Sequence, residues 1–373
     1  MADGAGEGAG QGGGFRDQML VVLMRLNDED PPSDDTVNLA AETAAAAKEL
    51  ETPYWVITMK YFHLAALQAA GRIFDVMVEF PMFLSYCDQH PNEDKGHYLL
   101  TVYKWMLFYA RLFPHVSKAK IEGLMRDFDA RMRRAGLSLR PLYQARMNWA
   151  LSCGHTEEAA RHFVEWQAAP RDAVSDCPAC ELHDRVNYLA YLERDEEAVG
   201  AAAPLLEGAL KCVSVPDRTY GVLLAPLHRL GRREEAMNLH AQGDRRIAGK
   251  RRYVEAAAEH LTFLTNAGEL EEAVRVFEAF LPLVRETKTP TPPWAKFTFM
   301  LAGSRMLRRL GESNSTAIEF RLPSSFDGPR PEGVCDLTAL EEWFREQALE
   351  MARSFDERDG TDFHARRVLA DDQ

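Results

Sequence analysis

The chain has little cysteine and no long apolar run, and each scarcity excludes a class of protein. Six cysteines among 373 residues, four of them scattered, do not form a disulfide framework and suit a reducing compartment. The most apolar stretch, Trp105 to Phe113, contains Arg111 and falls far short of the ~20 residues that span a bilayer. The start, Met1 to Gly14, lacks the basic and apolar regions of a signal peptide and is expected to be a disordered Gly-rich tail. We therefore expect a cytoplasmic protein.

Acidic residues outnumber basic residues in this chain. The chain holds 44 lysines and arginines against 57 aspartates and glutamates, a formal net charge of -13. Such a balance disfavours attraction to nucleic acid or anionic lipid, so neither is an expected partner. Local basic runs such as Arg131 to Arg134 are typical of solvated helix ends. Nothing in the pattern indicates an oligomeric state.

Catalytic motifs are also missing from the sequence. There is no nucleophile elbow, phosphate loop, dinucleotide fingerprint or His-Glu-x-x-His motif. The histidines are dispersed and mostly occur singly in predicted helices, where a structural role is more common than catalysis. The sequence predicts a protein that is not an enzyme, with an unrecognised hydrolase as a remote alternative.

A repeated Glu-Glu-Ala motif is the strongest feature that is present. Its alanines are Ala159, Ala198, Ala236 and Ala273, separated by 39, 38 and 37 residues. This spacing is about the length of one helical hairpin with its connections. The paired glutamates fit the first turn of a helix, where negative charge complements the helix dipole, and the alanine permits close helix packing.

Apolar periodicity predicts helices along the whole chain and no strands. The predicted fold is all-α, an α-α superhelix in which antiparallel hairpins form a right-handed solenoid. An aromatic-rich helix from Asp94 to Phe113 is interpreted as packing in the core or between hairpins. The expected organisation is a disordered tail at 1–14, N-terminal hairpins at 15–136, repeats at 137–312, an irregular segment at 313–336, and a capping helix with a fraying tail at 337–373.

The stretch from Leu139 to Val284 resembles the tetratricopeptide-repeat superfamily in its period, its hairpin alternation and its Glu-Ala punctuation. It departs from that family in having a longer repeat. Only some of the expected aromatic residues and prolines are present, among them Tyr143 and Pro216. Short sequence motifs such as Asp176-Cys177-Pro178-Ala179-Cys180 are similar to motifs in a group of bacterial repeat proteins without an assigned function. The resemblance implies a fold and a general role in binding proteins or peptides, and it implies no reaction.

The Cys177-Pro178-Ala179-Cys180 motif is the one candidate for metal chemistry. In an antiparallel hairpin the start of the first helix lies beside the end of the second, which brings Cys212 close to the pair. Cys153 belongs to the opposite end, about 15 Å away for ten helical residues. Cys177, Cys180 and Cys212, with His183 as a fourth ligand, can form a structural Cys3His zinc site. Small buried thiols, or a redox-active disulfide between Cys177 and Cys180, are the alternatives.

A repeated Arg-x-Asn-aromatic pattern is the candidate peptide-binding surface. It occurs on the first helices of two adjacent hairpins, 39 residues apart, and Gln144 and His183 precede the asparagines by one turn. Asparagines on a concave helical face can hold a peptide backbone, since each offers a donor and an acceptor. The alternative is that the arginines pair with neighbouring glutamates and the asparagines are solvated. The predicted site residues are Gln144, Arg146, Asn148, His183, Arg185 and Asn187.

Two functions follow from these features. The first is a non-catalytic scaffold that binds a protein or peptide in its concave face. The second is a regulatory sensor in which the metal or thiol state of Cys177, Cys180 and Cys212 changes the curvature of the solenoid.

Overall fold

The computed structural model describes residues 8–29, 31–49, 52–286, 288–313, 321–324, 326–330 and 337–370, and within them the fold is all-α and free of strands. The helices are α1 Gly8–Asp28, α2 Asp34–Glu49, α3 Pro53–Ala69, α4 Ile73–Gln89, α5 Tyr98–Ala110, α6 Lys118–Arg134, α7 Arg140–Ser152, α8 Thr156–Ala168, α9 Pro178–Tyr191, α10 Asp195–Leu206, α11 Asp217–Arg229, α12 Arg233–Ile247, α13 Val254–Ala267, α14 Leu270–Arg285, α15 Pro293–Glu312, α16 Thr338–Asp359 and α17 Phe363–Leu369, with a 3-10 turn at Arg251–Tyr253. No helix in these ranges has the length and apolar character needed to cross a membrane.

The helices divide into two compact units whose boundaries differ from the predicted ones. Unit 1 comprises the described residues up to Tyr109 together with Asp127–Ser138 and Arg171–Val174. Unit 2 comprises Ala110–Arg126, Leu139–Pro170 and the described residues from Ser175 onward. The sequence placed one boundary between 136 and 137. It could not show that the short segment Arg171–Val174 joins the first unit, because that assignment depends on tertiary contacts alone.

Unit 1 is organised by aromatic packing around α3 and α5. Tyr61 stacks on Tyr98 with ring centroids 4.5 Å apart and on Trp105 at 5.8 Å. Tyr103 is buried and donates its hydroxyl to Asp127 at 2.8 Å. The aromatic-rich helix is therefore a packing element, as the sequence predicts.

The N-terminal tail is shorter than expected. The sequence predicts disorder as far as Gly14, whereas α1 begins at Gly8, and Met1 to Glu7 lie outside the described residues. Phe15 is buried and packs edge-on to Trp55 at 5.8 Å. Glycine is a poor helix former, so the helical turns before Phe15 extend a helix that is anchored by this contact.

Unit 2 contains the predicted hairpins. Packing joins α7 to α8, α9 to α10, α11 to α12 and α13 to α14, and the first helices α9, α11, α13 and α15 also pack against one another in sequence. This packing of successive helices is consistent with the predicted all-α superhelical fold. The first helices consequently share a layer in which side chains from neighbouring hairpins meet.

The Glu-Glu-Ala motif has the structural role that the sequence predicts. In α8, α10, α12 and α14 the glutamate pair lies in the first turn. All four motif alanines are completely buried. The turn before each motif requires one residue in the left-handed backbone conformation. In three of the copies this residue is a glycine, namely Gly154, Gly231 or Gly268. In the remaining copy Glu193 adopts this conformation, with φ of 57°.

The described residues after Phe355 are helical, whereas the sequence predicts a fraying tail behind the capping helix. Helix α16 continues to Asp359, and α17 follows after a left-handed turn at Gly360. The carboxylate of Asp356 accepts hydrogen bonds from the Thr361 hydroxyl and from the backbone N–H of His364. The charged composition of this segment did not indicate the anchoring, because the anchoring depends on only two buried residues, Asp356 and His364.

The predicted irregular segment lies only partly within the described residues. Residues 314–320, 325 and 331–336 lie outside them, and the described remainder forms no helix. Phe326 is buried and contacts Trp343 at 5.1 Å between ring centroids. Through this contact the described part of the segment packs against α16.

Candidate metal centre and first-helix face

The first turn of α9 positions two of the three candidate thiols. Cys177 is the N-cap residue in extended conformation, and Pro178 fixes the first helical position. The Cys177 sulfur accepts a hydrogen bond from the backbone N–H of Cys180 at 3.5 Å. The sulfurs of Cys177 and Cys180 lie within 4.8 Å of each other at this helix start.

Helix α9 itself is oriented by a buried ion pair. Arg140, at the start of α7, donates two hydrogen bonds to the Glu181 carboxylate at 2.8 and 2.9 Å. It also donates to the carbonyls of Trp166 and Ala169 at 2.7 Å each. Three helix ends are therefore held to one guanidinium, which is the bidentate geometry that arginine favours.

The third thiol, Cys212, comes from the connection between α10 and α11. Its N–H donates to the Val215 carbonyl at 2.9 Å, which closes a tight turn. Val215 is buried with Ala179 and Leu205, and this small core packs against Cys180 and Cys212. The turn is thereby fixed against the first turn of α9.

The three sulfurs form one compact group. Those of Cys177, Cys180 and Cys212 all lie within 4.8 Å of one another, and the Cys180 and Cys212 sulfurs are 3.1 Å apart. Cys177 is exposed and the other two are half-buried. A group with this geometry can hold a metal ion, since thiolates bind soft and borderline ions.

The electrostatics of the group favour one thiolate. The hydrogen bond with Cys180 lowers the pKa of Cys212, and backbone hydrogen bonds from Ser214 and Val215 act in the same direction. The pKa of Cys180 is raised by its hydrogen bond to Cys212 and by burial. The backbone N–H groups of Ser214 and Val215 thus favour negative charge on the Cys212 sulfur over the Cys180 sulfur.

His183 and Cys153 lie outside this group. The Nδ1 atom of His183 is 3.0 Å from the Thr219 hydroxyl, and burial lowers the pKa of this histidine well below its usual value. The structure therefore does not bring the proposed fourth ligand to the sulfurs, because the ring is committed to packing against α11. Cys153 is excluded as predicted, and burial raises its pKa to about 12.

No protein-family model matches the chain, and no curated protein matches it.

The predicted peptide-binding residues fall into two environments. Gln144 and Asn148 on α7 are buried and both donate to the Asp184 carboxylate, at 2.7 and 3.0 Å. Gln144 also donates to Asp176 at 3.2 Å. The two amides therefore connect α7 to α9, and neither the clamp nor the solvated alternative describes Asn148. Asp184 lies outside the Arg-x-Asn-aromatic pattern, so the pattern does not predict its role.

The remaining predicted residues are more accessible. Arg146 and Asn187 are half-buried, and Arg185 is exposed. Arg185 lies close enough to Glu197 for its charge to help lower the pKa of that carboxylate, after the larger effect of Arg194. This arrangement favours the alternative in which such an arginine faces neighbouring glutamates. Asn187 is the more available of the two asparagines for a ligand.

A group of charged side chains, some buried and some exposed, lies in unit 2 on and beside the first helices, and we call it the first-helix face. It comprises Asp184 on α9, Arg218 on α11, Glu255 and Glu259 on α13, and Arg111 at the end of α5. These side chains are close enough to influence one another's ionisation. Arg218 reaches solvent. Burial acts to lower the pKa of Arg218, but the neighbouring carboxylates of Glu255 and Asp184 outweigh it, so the pKa is raised.

Proposed function

We propose that this protein is a non-catalytic helical scaffold with a zinc centre formed by Cys177, Cys180 and Cys212. The observation that supports the metal is the convergence of three sulfurs from two separate segments within 4.8 Å of one another. Zinc is the choice among metals because thiolate ligands and a fixed helical frame are typical of structural zinc sites. Cys177, Cys180 and Cys212 would supply three of the four ligands that structural zinc sites use.

The chemistry supplied by the metal would be structural. A bound ion would join the N-terminus of α9 to the turn that precedes α11, so that two hairpins are fastened at one point. The same arrangement supports the alternative of a metal-responsive or redox-responsive sensor, because loss of the ion would release the turn at Val215. Five described cysteines are free thiols, which fits a reducing cytoplasmic location.

The scaffold part of the proposal assigns the first-helix layer to the binding of a peptide or protein. Its support is the row of first helices α9, α11, α13 and α15, which pack against one another in sequence. Relationship to tetratricopeptide-repeat proteins remains part of this proposal. The experiment on the scaffold is affinity purification from the native cell followed by mass spectrometry, with capture compared between wild type and face variants.

Elemental analysis tests the metal. Protein purified without chelator is expected to contain about one zinc per chain, and Cys212→Ser is expected to lose the metal and lower the melting temperature. Cys87→Ala is the matched control, since Cys87 is buried in unit 1. It should keep the full metal content. A wild-type protein that carries no metal as isolated, and takes up none when reduced protein is dialysed against zinc, would refute the centre.

A further inference from the structure

The loop that carries Cys212 is held by residues from a hairpin that supplies no sulfur. The carbonyl oxygen of Val213 accepts a hydrogen bond from the Arg252 guanidinium at 3.2 Å and lies 3.3 Å from the Tyr253 hydroxyl. Both residues belong to the 3-10 turn that leads into α13, and they follow Val213 by 39 and 40 positions in the chain. The Val213 side chain is 61% exposed, so its carbonyl, and not side-chain packing, fixes this part of the loop.

The two groups that hold the carbonyl are themselves fixed. Tyr253 is buried, and its hydroxyl lies 3.1 Å from the Asp217 carboxylate and accepts a hydrogen bond from Arg252 at 3.0 Å. The guanidinium carbon of Arg252 lies over the Tyr253 ring, 4.8 Å from its centroid. Asp217 in turn accepts a hydrogen bond from Arg246 at 2.6 Å. A guanidinium that is stacked and hydrogen-bonded in this way is preorganised, so little further side-chain entropy is lost when it binds the carbonyl.

The Val213 carbonyl shares one peptide unit with the backbone N–H of Ser214. This peptide bond is trans, and in a planar trans peptide the C=O and N–H groups point in opposite directions. Backbone hydrogen bonds from Ser214 and Val215 reach the Cys212 sulfur. A donor that fixes the carbonyl on one side of the peptide therefore also directs the Ser214 N–H toward the sulfur on the other side.

Hydrogen bonds to a sulfur ligand control how it binds a metal. A thiolate keeps part of its negative charge when it is bound to an ion, and an N–H donor stabilises that charge and fixes the direction of the sulfur. Loss of such an outer partner typically weakens metal binding by about 10- to 100-fold. The direction of the Ser214 N–H is consequently a property on which a metal centre at Cys212 depends.

We infer that Tyr253 and Arg252 are positioning residues of the metal centre, which hold the Val213-Ser214 peptide so that its N–H contacts the Cys212 sulfur. The inference rests on the zinc centre proposed above and adds a third hairpin, α13 with α14, to the elements that control it. Coupling between two sites is reciprocal. A bound ion should therefore also hold the 3-10 turn at Arg251–Tyr253 against the loop of Cys212.

Zinc affinity is the first test, and it uses the reduced, full-length protein in competition with a chromophoric zinc chelator. Tyr253→Phe keeps the ring and removes the hydroxyl, and it should weaken zinc binding about tenfold. Arg252→Ala should act in the same direction, and Arg252→Lys, which retains a donor, should recover part of the affinity. Tyr103→Phe is the matched control, because it removes a buried tyrosine hydroxyl that donates to Asp127 at 2.8 Å in unit 1. The control should bind zinc as tightly as wild type.

Cobalt(II) in place of zinc gives a readout that a purely structural role would not change. The sulfur-to-cobalt charge-transfer band should keep its intensity in Tyr253→Phe, because Cys177, Cys180 and Cys212 all remain. It should move to longer wavelength, since a sulfur that has lost an N–H hydrogen bond gives up an electron more easily. Arg252→Ala should shift the band in the same direction, whereas Tyr103→Phe should leave it in place.

A cobalt band at the wild-type wavelength in both Tyr253→Phe and Arg252→Ala would overturn the positioning role, whatever their affinity, and would leave the zinc centre in place. An equal loss of zinc affinity in Tyr103→Phe would also overturn it, because the effect would then be general destabilisation. A wild-type protein that binds neither zinc nor cobalt would remove the centre, and this inference with it.

Discussion

The Cys180 sulfur lies 3.1 Å from the Cys212 sulfur, although 32 residues separate them in the chain. The contact results from the antiparallel packing of α9 against α10, which returns the chain to the first turn of α9. Cys177 joins the pair through a local hydrogen bond within the same turn. The sulfur group therefore depends on one tertiary contact and one local contact, and the two can be tested separately.

Mild oxidation should join Cys180 to Cys212 before it joins Cys177 to Cys180. In metal-free protein one equivalent of hydrogen peroxide oxidises the two thiols to a disulfide and is reduced to two waters. Tryptic cleavage places Cys177 and Cys180 in one peptide and Cys212 in another. Mass spectrometry should therefore detect a cross-linked pair of peptides, and Cys177→Ser should still form it. A disulfide confined to the first peptide would contradict the observed arrangement and support the Cys177 to Cys180 alternative.

Asn148→Ala and Asn187→Ala should have different effects on stability. Asn148 donates to the buried Asp184 carboxylate, so its loss leaves a charged acceptor underbonded and should lower the free energy of unfolding by about 1 to 3 kcal/mol. Asn187 is half-buried, and its replacement should change stability by less than about 0.5 kcal/mol. Urea unfolding measures the free energy of unfolding of both variants.

The same two variants test the peptide-binding hypothesis. If Asn187 contacts the ligand, Asn187→Ala alone should reduce partner capture while circular dichroism is unchanged. The double variant should abolish capture. Undiminished capture by the double variant would remove both asparagines from the binding surface and leave Asn148 with its structural role only.

His364 should make the stability of the protein fall in mild acid. Its ring is completely buried among Trp294, Phe297 and Phe355, and neither ring nitrogen has a hydrogen-bond partner. Burial lowers its pKa from the usual 6.5 to about 4, while Asp356 partly opposes the shift. Because the folded-state pKa is depressed, this contribution to stability is complete above pH 6.5 and is lost progressively as pH falls toward 4. The loss reaches at most about 3 kcal/mol.

His364→Phe provides the measurement, since phenylalanine fits an aromatic site and cannot be protonated. The variant should equal or exceed wild type in stability at pH 7.5, and its advantage should grow by more than about 1 kcal/mol at pH 5. His63 and His260 also have lowered pKa values, but they are present in both proteins and cancel in the difference. A wild-type-to-variant difference that is the same at both pH values would show that His364 does not titrate in this range.

The helices and their pairing could be predicted from periodicity and from local motifs. Local signals sufficed for these features: the left-handed turn residues, the glutamates in the first turn and the motif alanines all act within a few residues of where they stand. The convergence of Cys180 with Cys212 was also predictable, because antiparallel hairpins of similar helix length place their open ends together. Cys177 followed from its spacing to Cys180.

The environments of individual polar groups depend on contacts between helices and could not be predicted. Asn148 and Asn187 occupy equivalent positions in the repeat, yet one is buried against Asp184 and the other is half-buried, because the facing side chains differ between hairpins. The His183 side chain contacts Thr219 and not the sulfurs, since the packing of α11 against α9 places Thr219 beside the ring. The charged C-terminal segment became ordered because a cage of aromatic rings, contributed by α15 and α16, receives His364. Each outcome depends on which residue lies opposite in space, and periodicity along one helix carries no information about that.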